Sequence, residues 1–247
     1  MHSVLGDLLR WWRAGQPVGL ATVTGTWSSA PRQAGAAMLV GPDGTAVGSV
    51  SGGCVEGAVY ELCREAAASG RAHLARFGVT DADAVEVGLP CGGTIEVFVE
   101  RIDADRFPQL ALLAAEVEAG RPAALLTCVA GGPDQLGRHL VLTGDGRHGS
   151  LGGDRLDGAA ADDGRGLLAA GHTGLLHYGP DGQRRGSGVT VLLHAYAPPA
   201  RMIVFGATDH AAAVARIGTF LGYRVTVCDA RETFATAQRL EREDGDE

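Results

Sequence analysis

Arg201-Met202-Ile203-Val204-Phe205-Gly206-Ala207-Thr208-Asp209-His210-Ala211 is a short apolar run that stops at a glycine and passes into a helix-forming stretch. The helical pattern runs over residues 209–221 and ends at Gly222. Arg224-Val225-Thr226-Val227-Cys228 then gives a second apolar run, closed by Asp229. Strand, glycine turn, helix, strand and acidic residue is the opening of a dinucleotide-binding βαβ unit. Asp229 stands 23 positions after Gly206, where a ribose-binding carboxylate belongs. Of the GxGxxG turn only Gly206 is present. Thr208 takes the place of the second glycine, and Asp209 suits the helix dipole but repels phosphate. Two readings stay open here: NAD(P) at a degraded site, or a βαβ unit kept for packing. Residues 233–247 turn polar and acidic, so the unit reads as incomplete. Two parallel strands and one helix cannot cover both sheet faces. The unit is expected to dock on the preceding domain, to join a partner chain, or to be the stump of a longer ancestor.

Pro198-Pro199 reads as the linker before this unit. The expected organisation is a mixed α/β domain over 1–197 and a partial Rossmann-like domain over 200–247. In the first domain the 3.6-residue and two-residue periods predict helices over 3–14, 55–69 and 107–119. Strands are predicted over 17–24, 72–77, 94–101, 122–130 and 189–196. Gly41-Pro42-Asp43-Gly44 predicts a hairpin between 36–40 and 46–50. The Gly- and Asp-rich stretch 131–188 predicts short strands joined by exposed loops.

Composition narrows the chemistry. The net charge of -8 disfavours a duplex-binding protein, which needs a basic stripe against the phosphates. All 21 basic residues are Arg, and the chain has no Lys. That excludes a pyridoxal-phosphate Schiff base and a Walker A loop. Five cysteines without a CxxC argue against both a disulfide framework and a closed zinc site. No apolar run approaches the roughly 20 residues of a membrane span, and the start lacks signal-peptide features. The expectation is a cytoplasmic protein.

Three polar, glycine-rich segments lie at strand ends: Thr24-Gly25-Thr26-Trp27-Ser28-Ser29-Ala30-Pro31-Arg32, Gly48-Ser49-Val50-Ser51-Gly52-Gly53-Cys54-Val55-Glu56 and Gly88-Leu89-Pro90-Cys91-Gly92-Gly93-Thr94. The second leads from a strand into a helix. Free amides of Ser51, Gly52 and Gly53 at such a start attract anions, and the same dipole favours a Cys54 thiolate. Cys54 is therefore a candidate soft ligand or nucleophile, and Glu56 a helix cap or an acid or base. Cys91 with Gly92 and Gly93 repeats the theme, so two cysteine loops are expected to converge on one cleft. The alternative is two small buried cysteines between turn glycines. Trp27 and Arg32 offer a ring and a guanidinium for a planar anion. Cys63 and Cys128 fall within a helix and a strand and are expected in the core.

These segments, with Gly222-Tyr223-Arg224-Val225-Thr226-Val227-Cys228-Asp229-Ala230-Arg231, resemble the XdhC/CoxI family, the accessory proteins of xanthine dehydrogenase and carbon monoxide dehydrogenase. The resemblance implies an amino-terminal α/β domain with cysteine motifs and a carboxy-terminal Rossmann-like domain. It implies a maturation factor that binds molybdenum cofactor, assists its sulfuration and delivers it to a hydroxylase apoenzyme. A cysteine desulfurase is then the sulfur donor, and a homodimer is expected. Carried onto this sequence, Cys54 and Cys91 meet the metal, while Gly52, Gly53 and Arg32 meet the cofactor phosphate. Gly206, Asp229 and Arg231 mark the Rossmann-like turn. The rivals are an NAD(P)-dependent oxidoreductase with redox cysteines, and a non-catalytic scaffold.

Overall fold

The computed structural model describes residues 1–28, 32–78, 93–231, 233, 234 and 236. The chain is mixed α/β and divides into two compact units, Met1–Ala197 and Pro198–Glu247.

In the first unit α1 (Leu5–Arg13) leads into β1 (Val18–Trp27), β2 (Ala37–Val40) and β3 (Ala46–Gly48). Then follow α2 (Glu56–Ser69), β4 (His73–Phe77) and β5 (Thr94–Ile102). The strands form an antiparallel sheet in the order β3-β2-β1-β5-β4. The pattern then repeats. Helix α3 (Leu110–Glu118) leads into β6 (Ala123–Ala130), β7 (His139–Thr143) and β8 (Gly146–Gly149). These are followed by α4 (Asp154–Ala169), β9 (Gly174–Tyr178) and β10 (Val189–Tyr196), and the sheet order is β8-β7-β6-β10-β9.

One supersecondary plan is therefore used twice, and the equivalence reaches single atoms. Gly48 and Gly149 both take positive φ, at 86° and 96°. A Cβ on either would strike the carbonyl oxygen of the first residue of the neighbouring strand, Ala37 or His139. Ser49 donates its amide to Ala37 O at 3.0 Å, and Ser150 donates to His139 O at 3.1 Å. The sequence carries a faint copy as well, Gly48-Ser49-Val50-Ser51-Gly52-Gly53 against Gly149-Ser150-Leu151-Gly152-Gly153.

Alternation along the strands builds four layers. One face of the first sheet, through Ala21, Val23, Val97 and Val99, packs under Val59, Cys63 and Ala66 of α2. Its other face meets the second sheet, with Phe98 against Val129 and Leu192. The far face of the second sheet packs under Leu156, Ala160 and Ala161 of α4. Helices α1 and α3 close the flank through Leu8, Leu110 and Leu113. Helices α2 and α4 each sit so close to the sheet they cover that one partner must be glycine. A Cβ on Gly19 of β1 would collide with the Cys63 carbonyl, and one on Gly164 of α4 would lie 2.8 Å from a Leu142 methyl.

Helix α4 corrects the reading of 131–188 as strands and loops. Gly158, Gly164 and Gly166 each cost about 1 kcal/mol of helix propensity, and packing on the sheet outweighs that cost. Strands β8 and β9 also emerge from this stretch.

The second unit holds β11 (Arg201–Phe205), α5 (Asp209–Phe220) and β12 (Arg224–Cys228), with parallel strands in register from Arg201↔Arg224 to Phe205↔Cys228. Thr208 caps α5, its hydroxyl accepting from Ala211 N at 3.3 Å. Two strands and one helix leave apolar residues uncovered: Phe205 and Phe220 are 82% and 89% exposed. Among the described residues no helix is long and apolar enough to cross a membrane.

Candidate functional site

The three glycine-rich segments sit on equivalent loops of the first half: β1–β2, β3–α2 and β4–β5. Strand register brings their described parts to one end of the sheet. Trp27 pairs with Thr94, and Phe77 with Ile95. Cys54 packs on the cluster that holds Val23, Phe77 and Ile95. Cys91 and Gly92 lie outside the described residues, and Gly93 is buried at the start of β5. In the second half the same three loops are described. Gln135, the segment Gly152–Arg155, and Pro180 with Asp181 line one cleft of about 290 Å³.

The turn before α2 is organised around Glu56. Its carboxylate accepts from the amides of Ser51, Gly52 and Gly53 at 2.9, 2.9 and 2.8 Å. It also accepts from the Ser49 hydroxyl at 2.7 Å and the Ser51 hydroxyl at 2.5 Å. Ser51 Oγ in turn accepts from Cys54 N and Val55 N at 3.0 and 3.2 Å. Such a turn requires positive φ at Gly52 and Gly53, 92° and 126°, with open space where each Cβ would stand.

This corrects two expectations. The amides of Gly52 and Gly53 are not free for a cofactor phosphate, because an internal carboxylate already fills the anion nest. Glu56 is also not an acid or base at neutral pH. Partial burial pushes its pKa up, but the hydroxyl and amide of Ser51, the Ser49 hydroxyl and the Gly52 amide outweigh that and hold it well below the usual carboxylate range. What remains at the turn is chemistry for a thiol. Cys54 is half-buried and free, two residues before the start of α2. By contrast, burial pushes Cys63 up to about 12 and Cys128 up to about 11, so both are inert core thiols. Among the described residues no group of three or more His, Cys, Asp or Glu is placed to hold a metal ion.

Trp27 is 45% exposed, and the guanidinium over its ring at 4.9 Å belongs to Arg76. Arg32, expected as its partner, is exposed and makes no ion pair among the described residues. In the second unit the turn is likewise filled from within. Asp229 Oδ2 accepts from Ala207 N at 2.8 Å, and its carboxylate takes both Nε and a terminal nitrogen of Arg231 at 3.0 Å. The Arg231 side chain, with the Ala207 and Arg231 amides, holds Asp229 well below the usual range. The carboxylate expected to meet a ribose is thus engaged by its own chain. Gly206 takes positive φ at 96° and donates its amide to Cys228 O at 2.7 Å.

Sequence reasoning missed a second polar centre, between the sheets. Glu100 on β5 and His139 on β7 are both buried, with Oε2 and Nε2 3.1 Å apart. The signal was available: the two-residue period places Glu100 on one face with Phe98 and Ile102, where an apolar residue belongs.

A family model described as the XdhC and CoxI family matches residues 11–78 and 116–179, one stretch on each half of the first unit. A model described as the XdhC Rossmann domain matches 202–245. The chain is 24% identical over 245 residues to a Bacillus subtilis protein named as a probable xanthine dehydrogenase subunit, covering 98% of this chain and 68% of that protein. It is 36% identical over 100 residues to the molybdenum cofactor insertion chaperone PaoD of Escherichia coli, covering 40% of this chain and 31% of that one. A crystal structure titled as a xanthine dehydrogenase from Bacillus halodurans shares the fold, with a TM-score of 0.62 at 20% identity, over 96% of this chain and 65% of that one. The chain spans about two thirds of the length of these two Bacillus proteins.

Proposed function

The chain belongs to the XdhC and CoxI family, and from that membership we propose that it is an accessory factor that holds molybdenum cofactor as cargo for a molybdenum hydroxylase. The observation that carries the reading is Cys54. It is a free, half-buried thiol on a self-supporting glycine turn at a helix start, in a chain that resembles an insertion chaperone over 100 residues. A soft thiolate suits molybdenum and its sulfur ligands. Cys91 is proposed as a second thiol from the neighbouring loop.

In this reading Glu56 is a positioning residue. Its carboxylate fixes the turn and leaves the thiol of Cys54 as the variable group. Sulfuration is proposed to occur while the cargo is held, with a cysteine desulfurase as donor and the hydroxylase apoenzyme as acceptor. A homodimer is proposed as the working state, and light scattering checks it. No nucleotide role is assigned to Asp229, because its carboxylate is already paired. The test is co-expression with a molybdopterin pathway, followed by molybdenum and pterin analysis of the purified chain. Wild type is expected to carry both, and Cys54→Ser to lose most of its molybdenum. A wild-type chain that carries neither, or a Cys54→Ser chain that carries as much, would overturn the reading.

A further inference from the structure

At the other end of the first sheet, where α2 ends and β4 begins, a cleft of about 730 Å³ opens against the second sheet. Thr94, at the glycine-loop end, and Glu100, in the cleft, are six residues apart on β5, roughly 20 Å along the strand. The cleft is therefore separate from the Cys54 turn. Its volume is that of a site for a small ligand.

Arginine is concentrated there. Arg71, Arg101, Arg106 and Arg138 are four of the 16 lining residues, whereas the whole chain has 21 basic residues in 247. They come from three separate segments, so composition alone does not gather them. Arg101 and Arg106 share Asp103, at 2.6 and 3.9 Å. Arg71 and Arg138 make no ion pair among the described residues, and Asp134 is the one carboxylate on the rim. Gly70 keeps room for the Arg106 guanidinium, which a Cβ would meet at 2.5 Å.

The floor is polar and incompletely satisfied. Glu100 is 4% exposed and His139 5%. Thr127 Oγ1 lies 3.2 Å from His139 Nδ1, and Phe107 stacks on the ring at 4.3 Å. The opposite nitrogen, Nε2, is 3.1 Å from Glu100 Oε2 but lacks the direction of a hydrogen bond. Nε2 is thus a buried polar atom without a hydrogen-bond partner among the described residues, and the Glu100 carboxyl beside it lines the cleft. Gly137 lies against the carboxyl, where a Cβ would be in contact with Glu100 Oε2 at 3.5 Å. Pro108, Pro133 and Leu136 supply apolar wall.

We infer that this cleft binds a phosphate-bearing planar heterocycle whose ring edge carries N–H donors. The arginines take the phosphate, and Glu100, an acceptor only when ionised, takes the N–H edge. A free guanine nucleotide has this chemistry, and so does a phosphorylated pterin; a pterin here is a second molecule, distinct from the cargo at Cys54, and rests on the pterin supply that the cargo reading above requires.

The test is calorimetric titration of the full chain with GMP, guanosine and ribose 5-phosphate. GMP is expected to bind at least tenfold more tightly than either fragment. Arg71→Gln with Arg138→Gln, both at exposed residues, is expected to weaken GMP at least tenfold with an unchanged melting temperature. Glu100→Gln is expected to abolish the preference for GMP over ribose 5-phosphate. No heat with millimolar GMP, or equal binding by the double variant, would overturn the site. Ribose 5-phosphate binding as tightly as GMP would overturn the role of Glu100. Pterin content of the co-expressed double variant distinguishes the sources: a loss points to the pterin, no loss to the nucleotide. Because GMP binding needs no hydroxylase or molybdenum, its failure leaves the cargo reading standing.

Discussion

Glu56 and Asp157 stand at the same place in two copies of one fold, each eight residues after a left-handed glycine, Gly48 or Gly149. Glu56 gathers the amides of Ser51, Gly52 and Gly53 and the hydroxyls of Ser49 and Ser51. Asp157, one methylene shorter, accepts from Leu151 N at 2.7 Å. The first turn presents Cys54. In the second, Asp154-Arg155 follow the glycines, and the Asp154 side chain is fully exposed. A duplicated scaffold needs the acidic residue in both copies to hold the turn before the helix. It needs the thiol in neither. The difference between the copies therefore separates what folds the chain from what the chain offers to a ligand.

Close packing gives the sharpest way to break this comparison. Gly19→Ala drives a methyl into the Cys63 carbonyl, a backbone atom that cannot step aside. It is expected to cost about 3 kcal/mol by denaturant melting. In Gly164→Ala the obstacle is a Leu142 methyl, which can rotate, and the helix gains about 1 kcal/mol. That variant is expected to be close to neutral. Equal losses in both would mean the two helix–sheet contacts are not versions of one packing solution.

The turns come next. Glu56→Gln is expected to destabilise by about 2 kcal/mol, because several donors lose an ionised acceptor at once, and Asp157→Asn by about 1 kcal/mol. The first difference also carries a pH signature. The folded pKa of Glu56 is depressed, so its contribution is complete above the free carboxylate value of 4.5 and fades as pH falls toward the lower folded value. The gap between wild type and Glu56→Gln should be constant from pH 7 to pH 5 and narrow only in stronger acid. A gap that narrows near neutral pH would remove Glu56 as the clamp.

Thiol reactivity separates the copies more gently. Cys54 is half-buried, whereas Cys128, in the second half, is buried with its pKa pushed up to about 11. Iodoacetamide labelling of native protein, read by peptide mass spectrometry, should modify Cys54 at least about tenfold faster than Cys128. Comparable rates would place the first turn in the core.

Much of this was legible in the sequence, for identifiable reasons. Gly70, Gly120 and Gly222 end helices, and Gly41-Pro42-Asp43-Gly44 makes its hairpin, because local backbone chemistry decides those points. The core cysteines, Cys63 and Cys128, followed from periodicity. Helix α4 was hidden because its three glycines answer to a sheet distant in sequence, as Gly164 against Leu142 and Leu193 shows. The repeat was hidden because only Gly48-Ser49 and Gly149-Ser150, with the paired glycines after them, survive as identities. At the candidate site, the glycine turn was read as a helix-start anion nest with Glu56 as a cap or as an acid or base; that the cap fills the nest itself was not read. Glu56 and Asp229 lie within the motifs they fill, and spacing alone does not tell a ligand's carboxylate from the chain's own.

The most direct test sets the two turns against each other in one preparation. Molybdenum per chain is measured after co-expression with the molybdopterin pathway for wild type, Cys54→Ser and Asp154→Ala. Retention by wild type and Asp154→Ala with loss in Cys54→Ser is the predicted result. Equal molybdenum in all three, or equal loss in both variants, would contradict it.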